Sequence, residues 1–289
     1  MNSKNNLIIL GGDTRQIHLA AYLKQKGYRV QMSAFSQATL PDNIHNYDID
    51  DLLPENKNII LPLPVTRDEY TLNAVFSDKK LYLQDILRKI TPDTTIFCGM
   101  PPKRFENALQ VNGCKVIDYF KDENLTLRNA QLTAEGIIGI LTDQLPITLS
   151  GMHCAVVGYG RVANCTAAAL KSMGASVTVF ARRSTALTQA LINGINSLHI
   201  NEMINAIGQF DCVINTVPEL IIDSSVLEMS QQSCVFIEVA SKPFGIDFNA
   251  AEELGRRVIK AASLPGKTAP KTAGEIIGQS IHRYLTEGS

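Results

Sequence analysis

The chain has 289 residues, 45% of them hydrophobic and 19% charged, with a formal net charge of −1. That length suits two ordinary domains, and the apolar content is enough to bury a core in each. The near-neutral balance excludes a basic surface for a nucleic-acid backbone and a polybasic segment for an anionic membrane. No apolar run approaches the ~18 residues of a membrane span. The opening MNSKNNLIILGGD lacks a long apolar stretch and a small-residue cleavage site, so a soluble, cytoplasmic protein is expected.

Apolar runs alternate with helical periodicity along the chain, the pattern of parallel strands joined by crossover helices. LIIL (Leu7 to Leu10) reads as a strand, Gly11-Gly12-Asp13 as a turn, and the segment near Thr14 to Lys26 as a helix. Tyr28 to Met32 is a second strand, and NIILPLPV (Asn58 to Val65) a third that ends in prolines. LYLQDILRKI suggests a helix, and TIFCG and CKVIDYF two more strands, completing an α/β domain over residues 1–127. Asn129 to Leu145 suggests a long helix, within residues 128–149, that carries the chain to a second domain.

The second domain, residues 150–267, is more regular. HCAVV is a strand, GYGRVA a glycine turn, and Arg161 to Met173 a helix with Val162, Thr166, Ala169, Leu170 and Met173 on its apolar face. VTVF, INSLHI, FDCVINTV, CVFIEVAS and RVIKAAS supply five more strands. A last helix, from about Thr272 to Leu285 within residues 268–289, is expected to pack back on the first domain. The fold class expected is α/β: two doubly wound Rossmann-like domains, the C-terminal one dinucleotide-binding, with a cleft between them. Six cysteines fall mostly in apolar strand-like runs, none as C-x-x-C, and the five histidines are scattered. Reduced, inert thiols and no metal site are expected.

Gly158-Tyr159-Gly160-Arg161-Val162-Ala163 is G-x-G-x-x-A, following an apolar strand and opening a helix. Such glycines allow a tight turn and a close approach of backbone to pyrophosphate, which the helix N-terminus then attracts. An NAD site places a carboxylate at the tip of the second strand, on the adenine ribose; here Ala181, Arg182, Arg183 and Ser184 stand there. An arginine fork matches a 2′-phosphate in charge and shape, so NADP is expected, with Arg182 the better candidate and Ser184 a hydroxyl donor. The alternative is that both arginines are simply solvated. Asn215-Thr216-Val217-Pro218 ends another strand and is expected beside the nicotinamide ribose.

Substrate is expected in the cleft, beyond the carboxyl ends of the strands. Lys242 ends one strand, and Lys267 and Lys271 lie in LPGKTAPKTAGE, where Thr272-x-x-Glu275 suggests a capping box. Cations at a helix N-terminus either face a bound anion or extend into water. Arg15 sits in the first turn after Asp13 or Thr14 and poses the same alternative. Glu135, polar among apolar neighbours, is either a general base or a structural hydrogen-bonder.

The stretches IILGGDTRQ, IILPLPVT, TAEG, VVGYGRVA, INTVP, VASKPFGIDF and LPGKTAPKTAG run from residue 8 to 274. Together they make the chain similar to the A subunit of dipicolinate synthase of endospore-forming bacteria. That family more often has S-R-P-G-G-T-D-F where Ser241-Lys242-Pro243-Phe244-Gly245-Ile246-Asp247-Phe248 stands here. A lysine at that place forfeits a bidentate grip on a carboxylate. The resemblance implies oxidation of a dihydrodipicolinate-type ring to pyridine-2,6-dicarboxylate, on a branch from lysine biosynthesis, in the mother-cell cytoplasm during sporulation. A flavoprotein-like B subunit is the implied hetero-oligomeric partner, and a homo-oligomer is compatible with it. A small dicarboxylate substrate would meet Arg15, Lys242, Lys267, Lys271 and Thr133, and its ring proton would go to Glu135, with Lys271 or water as rivals. Two other readings stand beside this one. One is a reductase of the shikimate or methylenetetrahydrofolate dehydrogenase type; the other is a non-catalytic nucleotide-binding partner subunit.

Overall fold

The structure, a computed structural model, describes residues 6–53 and 57–287; the expectation for the opening residues MNSKN lies outside them. One compact unit runs to Arg128 and resumes at Ala269, and the other is Asn129–Thr268.

In the first unit, β1 (Asn6–Leu10) leads through the Gly-Gly-Asp turn to α1 (Thr14–Gln25) and β2 (Arg29–Ser33). β3 (Asn46–Tyr47), α2 (Ile49–Leu52), β4 (Asn58–Ile60), α3 (Leu83–Lys89), β5 (Thr95–Cys98), α4 (Lys103–Val111) and β6 (Lys115–Asp118) follow. Six parallel strands pair in the order β3-β2-β1-β4-β5-β6. The third expected strand ends at Ile60 rather than at Val65, because Pro62 and Pro64 have no N–H to donate to a ladder. β3 and α2 were not legible in the sequence: two residues and one turn carry no readable period.

α5 (Glu123–Gln144) is 22 residues long and starts six residues before the expected Asn129. Asp122 supplies the start signal, its carboxylate accepting from the Asn124 N–H at 3.0 Å. That carboxylate also holds Ser280 Oγ at 2.7 Å and the guanidinium of Arg283. The unit boundary falls inside α5, and Ile137 and Leu141 belong to the core of the second unit.

In the second unit β7 (His153–Val157), α6 (Arg161–Ser172), β8 (Ser176–Ala181), α7 (Ser184–Ile192), β9 (Asn196–His199), α8 (Met203–Ala206), β10 (Cys212–Asn215), α9 (Ser224–Met229), β11 (Val235–Glu238), α10 (Phe248–Glu253), β12 (Arg257–Lys260) and α11 (Leu264–Thr268) follow in turn. The six parallel strands pair as β12-β11-β10-β7-β8-β9. Read from the other edge, this is the 3-2-1-4-5-6 order of dinucleotide-binding sheets, and the first unit repeats it. Both expected sheets are therefore present. Cys98, Cys114, Cys154, Cys212 and Cys234 are buried, and burial pushes the Cys234 thiol up to about 12. Among the described residues no group of His, Cys, Asp or Glu gathers as metal ligands, and no helix is long and apolar enough to cross a membrane.

Two helical faces differ from their expected ones. α6 buries Ala163, Thr166, Ala167 and Leu170, while Met173 caps its end and is 45% exposed. Alanines, not the larger side chains, take the positions nearest the sheet, since a small residue lets the helix approach it. α12 (Pro270–Glu287) begins at a proline, so Thr272 lies inside its first turn and Thr272-x-x-Glu275 is not a capping box. Its buried face includes Gly274 and Gly278 beside Ile276, Ile277 and Ile281. A Cβ on Gly274 would overlap the Arg15 carbonyl oxygen and stand 2.9 Å from the Leu19 nitrogen, both on α1. Those backbone atoms cannot step aside, so Gly274→Ala should destabilise the first unit by about 2–3 kcal/mol. Gly139, on an exposed turn of α5, has nothing within 4 Å of such a Cβ. Gly139→Ala should stabilise by ~0.5–1 kcal/mol. Thermal unfolding of both variants checks the pair, and equal shifts would remove the close-packing account.

Candidate functional site

The glycine turn after β7 is built by two different requirements. Gly158 has φ +94°, and a Cβ there would meet Thr216 Oγ1 at 2.7 Å and Val217 Cγ2 at 2.8 Å. Only glycine relieves both the left-handed backbone and the close approach of the β10 loop. Gly160 has an ordinary extended backbone as N-cap of α6, and a Cβ there would meet nothing within 4 Å. The space before it is open. No side chain caps α6, and no acidic residue stands in its first turn. Its N-terminal amides and partial positive charge therefore face that space, which suits a pyrophosphate.

A cavity of about 420 Å³ opens there, lined by Gly158 to Gly160, Phe180 to Arg183, Ala186, Ile200, Thr216 to Pro218 and Ile221. The structure thus brings Gly158, Gly160, Arg182, Arg183, Thr216, Val217 and Pro218 to one pocket. Arg161 and Val162 open α6 beside it, and Ser184 opens α7 directly after Arg183, its N-cap. Thr216 Oγ1 donates to the Val157 carbonyl at 2.7 Å, and the Gly158 N–H donates to Phe180 O at 2.8 Å. These bonds lock the three loop ends together.

Asn215 does not reach the pocket. It is the last residue of β10 and fully buried. Its Nδ2 donates to Val217 O at 2.9 Å and to Glu238 Oε1 at 2.8 Å, and its Oδ1 accepts from the Val217 N–H. The expectation of a direct cofactor contact is replaced by a role in shaping the loop. Glu238, which the sequence reading passed over, is only 2% exposed. Its two oxygens accept from Asn215 Nδ2 and the N–H groups of Ala240, Gly245 and Ile246, at 2.8 to 3.1 Å. One carboxylate thus fixes the loops that follow β10 and β11. An apolar strand, CVFIEVAS, gave no sign that its one acid would be a hub.

Glu219 was also missed. Arg182 is not simply solvated: its Nη1 and Nη2 grip both carboxylate oxygens of Glu219, the residue after Pro218. The hydrogen bonds and charge of Arg182 hold the Glu219 carboxyl below the usual range.

The residues expected to meet substrate are dispersed in kind. Arg15 is 3% exposed, neither solvated nor open to a foreign anion along its Nε and Nη2. Those nitrogens bind Asp13 at 2.9 and 2.7 Å, and Nη2 also donates to Leu63 O at 2.6 Å. The anion that offsets a cation in the first turn of α1 is the chain's own Asp13, which with Gln16 forms the capping box of that helix. Thr133 is buried, its hydroxyl donating to Asn129 O at 2.8 Å. Glu135 lies on the exposed face of α5 and accepts from Gln131 Nε2 at 3.3 Å. Lys242, Lys267 and Lys271 are exposed. The two latter lysines do not crowd one N-terminus: Lys267 is in the last turn of α11, and Lys271 follows the proline that opens α12.

Residues 131–269 match the family model described as S-adenosyl-L-homocysteine hydrolase, NAD binding domain, and residues 6–120 that of the N-terminal domain of the dipicolinate synthase A subunit. The second unit is therefore a domain of the NAD-binding type. A transhydrogenase from Sinorhizobium meliloti shares the fold, with a TM-score of 0.69 at 15% identity over 96% of this chain and 93% of its own. The A subunit of dipicolinate synthase of Bacillus subtilis (strain 168) is 29% identical, over 97% of this chain and 96% of the relative. The crystal structure of the dipicolinate synthase A subunit from Bacillus halodurans superposes with a TM-score of 0.89 at 27% identity, covering 99% of each chain. Along its length, in sequence and in backbone, the chain resembles the A subunits of dipicolinate synthase.

Proposed function

We propose that the protein is an NADP-dependent oxidoreductase that makes dipicolinate from a dihydrodipicolinate-type ring during sporulation, as the A subunit of an enzyme whose other component is a flavoprotein-like B subunit. The observation that carries the reading is the pocket after β7. Open space before Gly160 suits a pyrophosphate, and Arg182 and Arg183 at its rim suit a 2′-phosphate. Full-length similarity to the A subunit of dipicolinate synthase supports the substrate. When bound, NADP⁺ accepts a hydride. The ring gives up that hydride with its electron pair and a proton to a base, leaving an aromatic pyridine dicarboxylate, NADPH and H⁺. Glu135 is the proposed base, being an exposed carboxylate on α5 in the TAEG stretch. Water and Lys271 are its rivals. Lys242, Lys267 and Lys271 are the proposed partners of the ring carboxylates; Arg15, bonded to Asp13, and Thr133, bonded to Asn129 O, are proposed in supporting roles.

The protein, supplied with dihydrodipicolinate and NADP⁺, should generate NADPH absorbance and the ultraviolet band of the pyridine product. Glu135→Gln should lower turnover by roughly a hundredfold or more, the usual worth of a general base. Unchanged turnover at every pH would exclude Glu135. Turnover without the B subunit would favour this reading, and turnover only when it is added would leave standing the reading of this chain as a non-catalytic nucleotide-binding partner.

A further inference from the structure

Arg182 follows β8 and Glu219 lies on the loop after β10. In the sheet these strands flank β7, so their loops form the two rims of the pocket at its glycine turn. The ion pair joins the rims. Both terminal nitrogens of the guanidinium are engaged by the two oxygens of one carboxylate. That is the same fork a 2′-phosphate would take. The side chains are 53% and 57% exposed, so water screens the pair and a ligand can exchange for it.

The two cofactors meet this arrangement differently. A ribose 2′-hydroxyl is a donor, and a carboxylate has lone pairs to accept it without releasing the arginine. A 2′-phosphate carries close to two negative charges. It must take the fork from Glu219 and then remain near a like charge. We infer that Glu219 is a specificity-determining residue: its carboxylate competes for Arg182 and holds down the preference of this pocket for NADP over NAD. The inference rests on the proposed contact between Arg182 and the 2′-phosphate.

Calorimetric titration of the full chain with NADPH and with NADH, at low and high salt, tests it in the wild type, Glu219→Gln, Glu219→Ala and Arg182→Ala. Both Glu219 variants should raise the ratio of NADPH to NADH affinity by roughly fivefold or more at low salt, and by less at high salt. NADH affinity should stay the same or fall slightly. A ratio that is unchanged or lower would overturn the inference; a lower ratio would mean that Glu219 only holds Arg182 in place. Arg182→Ala separates this failure from failure of the cofactor reading. If it costs NADPH roughly tenfold and spares NADH, the 2′-phosphate contact stands whatever the Glu219 variants do. If it leaves the ratio alone, that contact and the role of Glu219 fall together.

Discussion

Gly158→Ala should lose both stability and dinucleotide binding. The added Cβ would sit in a left-handed backbone, at φ +94°, and within 2.8 Å of Thr216 Oγ1 and Val217 Cγ2. Thr216 is held by its bond to Val157 O, so it yields only by giving that bond up. Left-handed strain of ~1–2 kcal/mol and overpacking of ~1–3 kcal/mol act together. A loss of about 3 kcal/mol in stability and at least a tenfold rise in the dissociation constant for NADPH are expected. Gly160→Ala is the counterpart. A Cβ there touches no protein atom and the backbone is unstrained. Its thermal midpoint should stay near that of the wild type while cofactor binding still falls, because the methyl group enters the space for the pyrophosphate. Unfolding curves and NADPH titrations of the two variants check this. Full binding by Gly160→Ala would deny that the turn receives a phosphate.

Glu238→Ala should strongly destabilise the second unit. Four donors converge on that buried carboxylate, three of them backbone N–H groups. Each donor left unsatisfied costs about 1–3 kcal/mol, and local rearrangement or water entry recovers part of the sum. A net loss on the order of 4 kcal/mol is expected. Glutamine is not a conservative replacement here. Oε1 accepts from Asn215 and Ala240 and Oε2 from Gly245 and Ile246, so an amide nitrogen at either place would face two donors. Glu238→Gln should therefore cost roughly 2 kcal/mol. Because Asn215 is one of the four partners and shapes the Val217 loop, both variants should bind the cofactor less well. Urea unfolding should rank wild type above Glu238→Gln above Glu238→Ala. A loss below about 1 kcal/mol for the alanine variant would show that the hub is redundant.

How much of this was legible in the sequence varies with the range of the contact involved. HCAVV-GYGRVA declares a strand, a tight turn and a helix within eleven residues, and the structure forms them there. The alternation of apolar runs and helical segments likewise announces two doubly wound sheets. Arg182 and Arg183 could be placed at the pocket rim because they directly follow β8. Short elements were lost: β3 and α2 are too brief to show a period. The start of α5 was set six residues late, since its signal, Asp122, lies ahead of the segment that was read as helical.

What stayed hidden depends on residues distant in sequence that the strand order brings together. Glu219 meets Arg182 across 37 positions, and Glu238 meets Asn215 across 23, because β8 and β10 flank β7 while β10 and β11 are neighbours. Gly274 reads in sequence only as a weak helix former, yet the crossing of α12 on α1 makes it the residue with room for the Arg15 carbonyl. Arg15 could have faced a bound anion or water on sequence grounds, until the turn brought Asp13 and Leu63 to its fork. Local periodicity and turn chemistry, properties of neighbouring residues, were enough to determine the longer elements, their order and the glycine turn after β7. Tertiary structure alone decided which charges are paired and which glycines are indispensable, because hydrogen bonding and close packing act at about 3 to 4 Å whatever the separation along the chain.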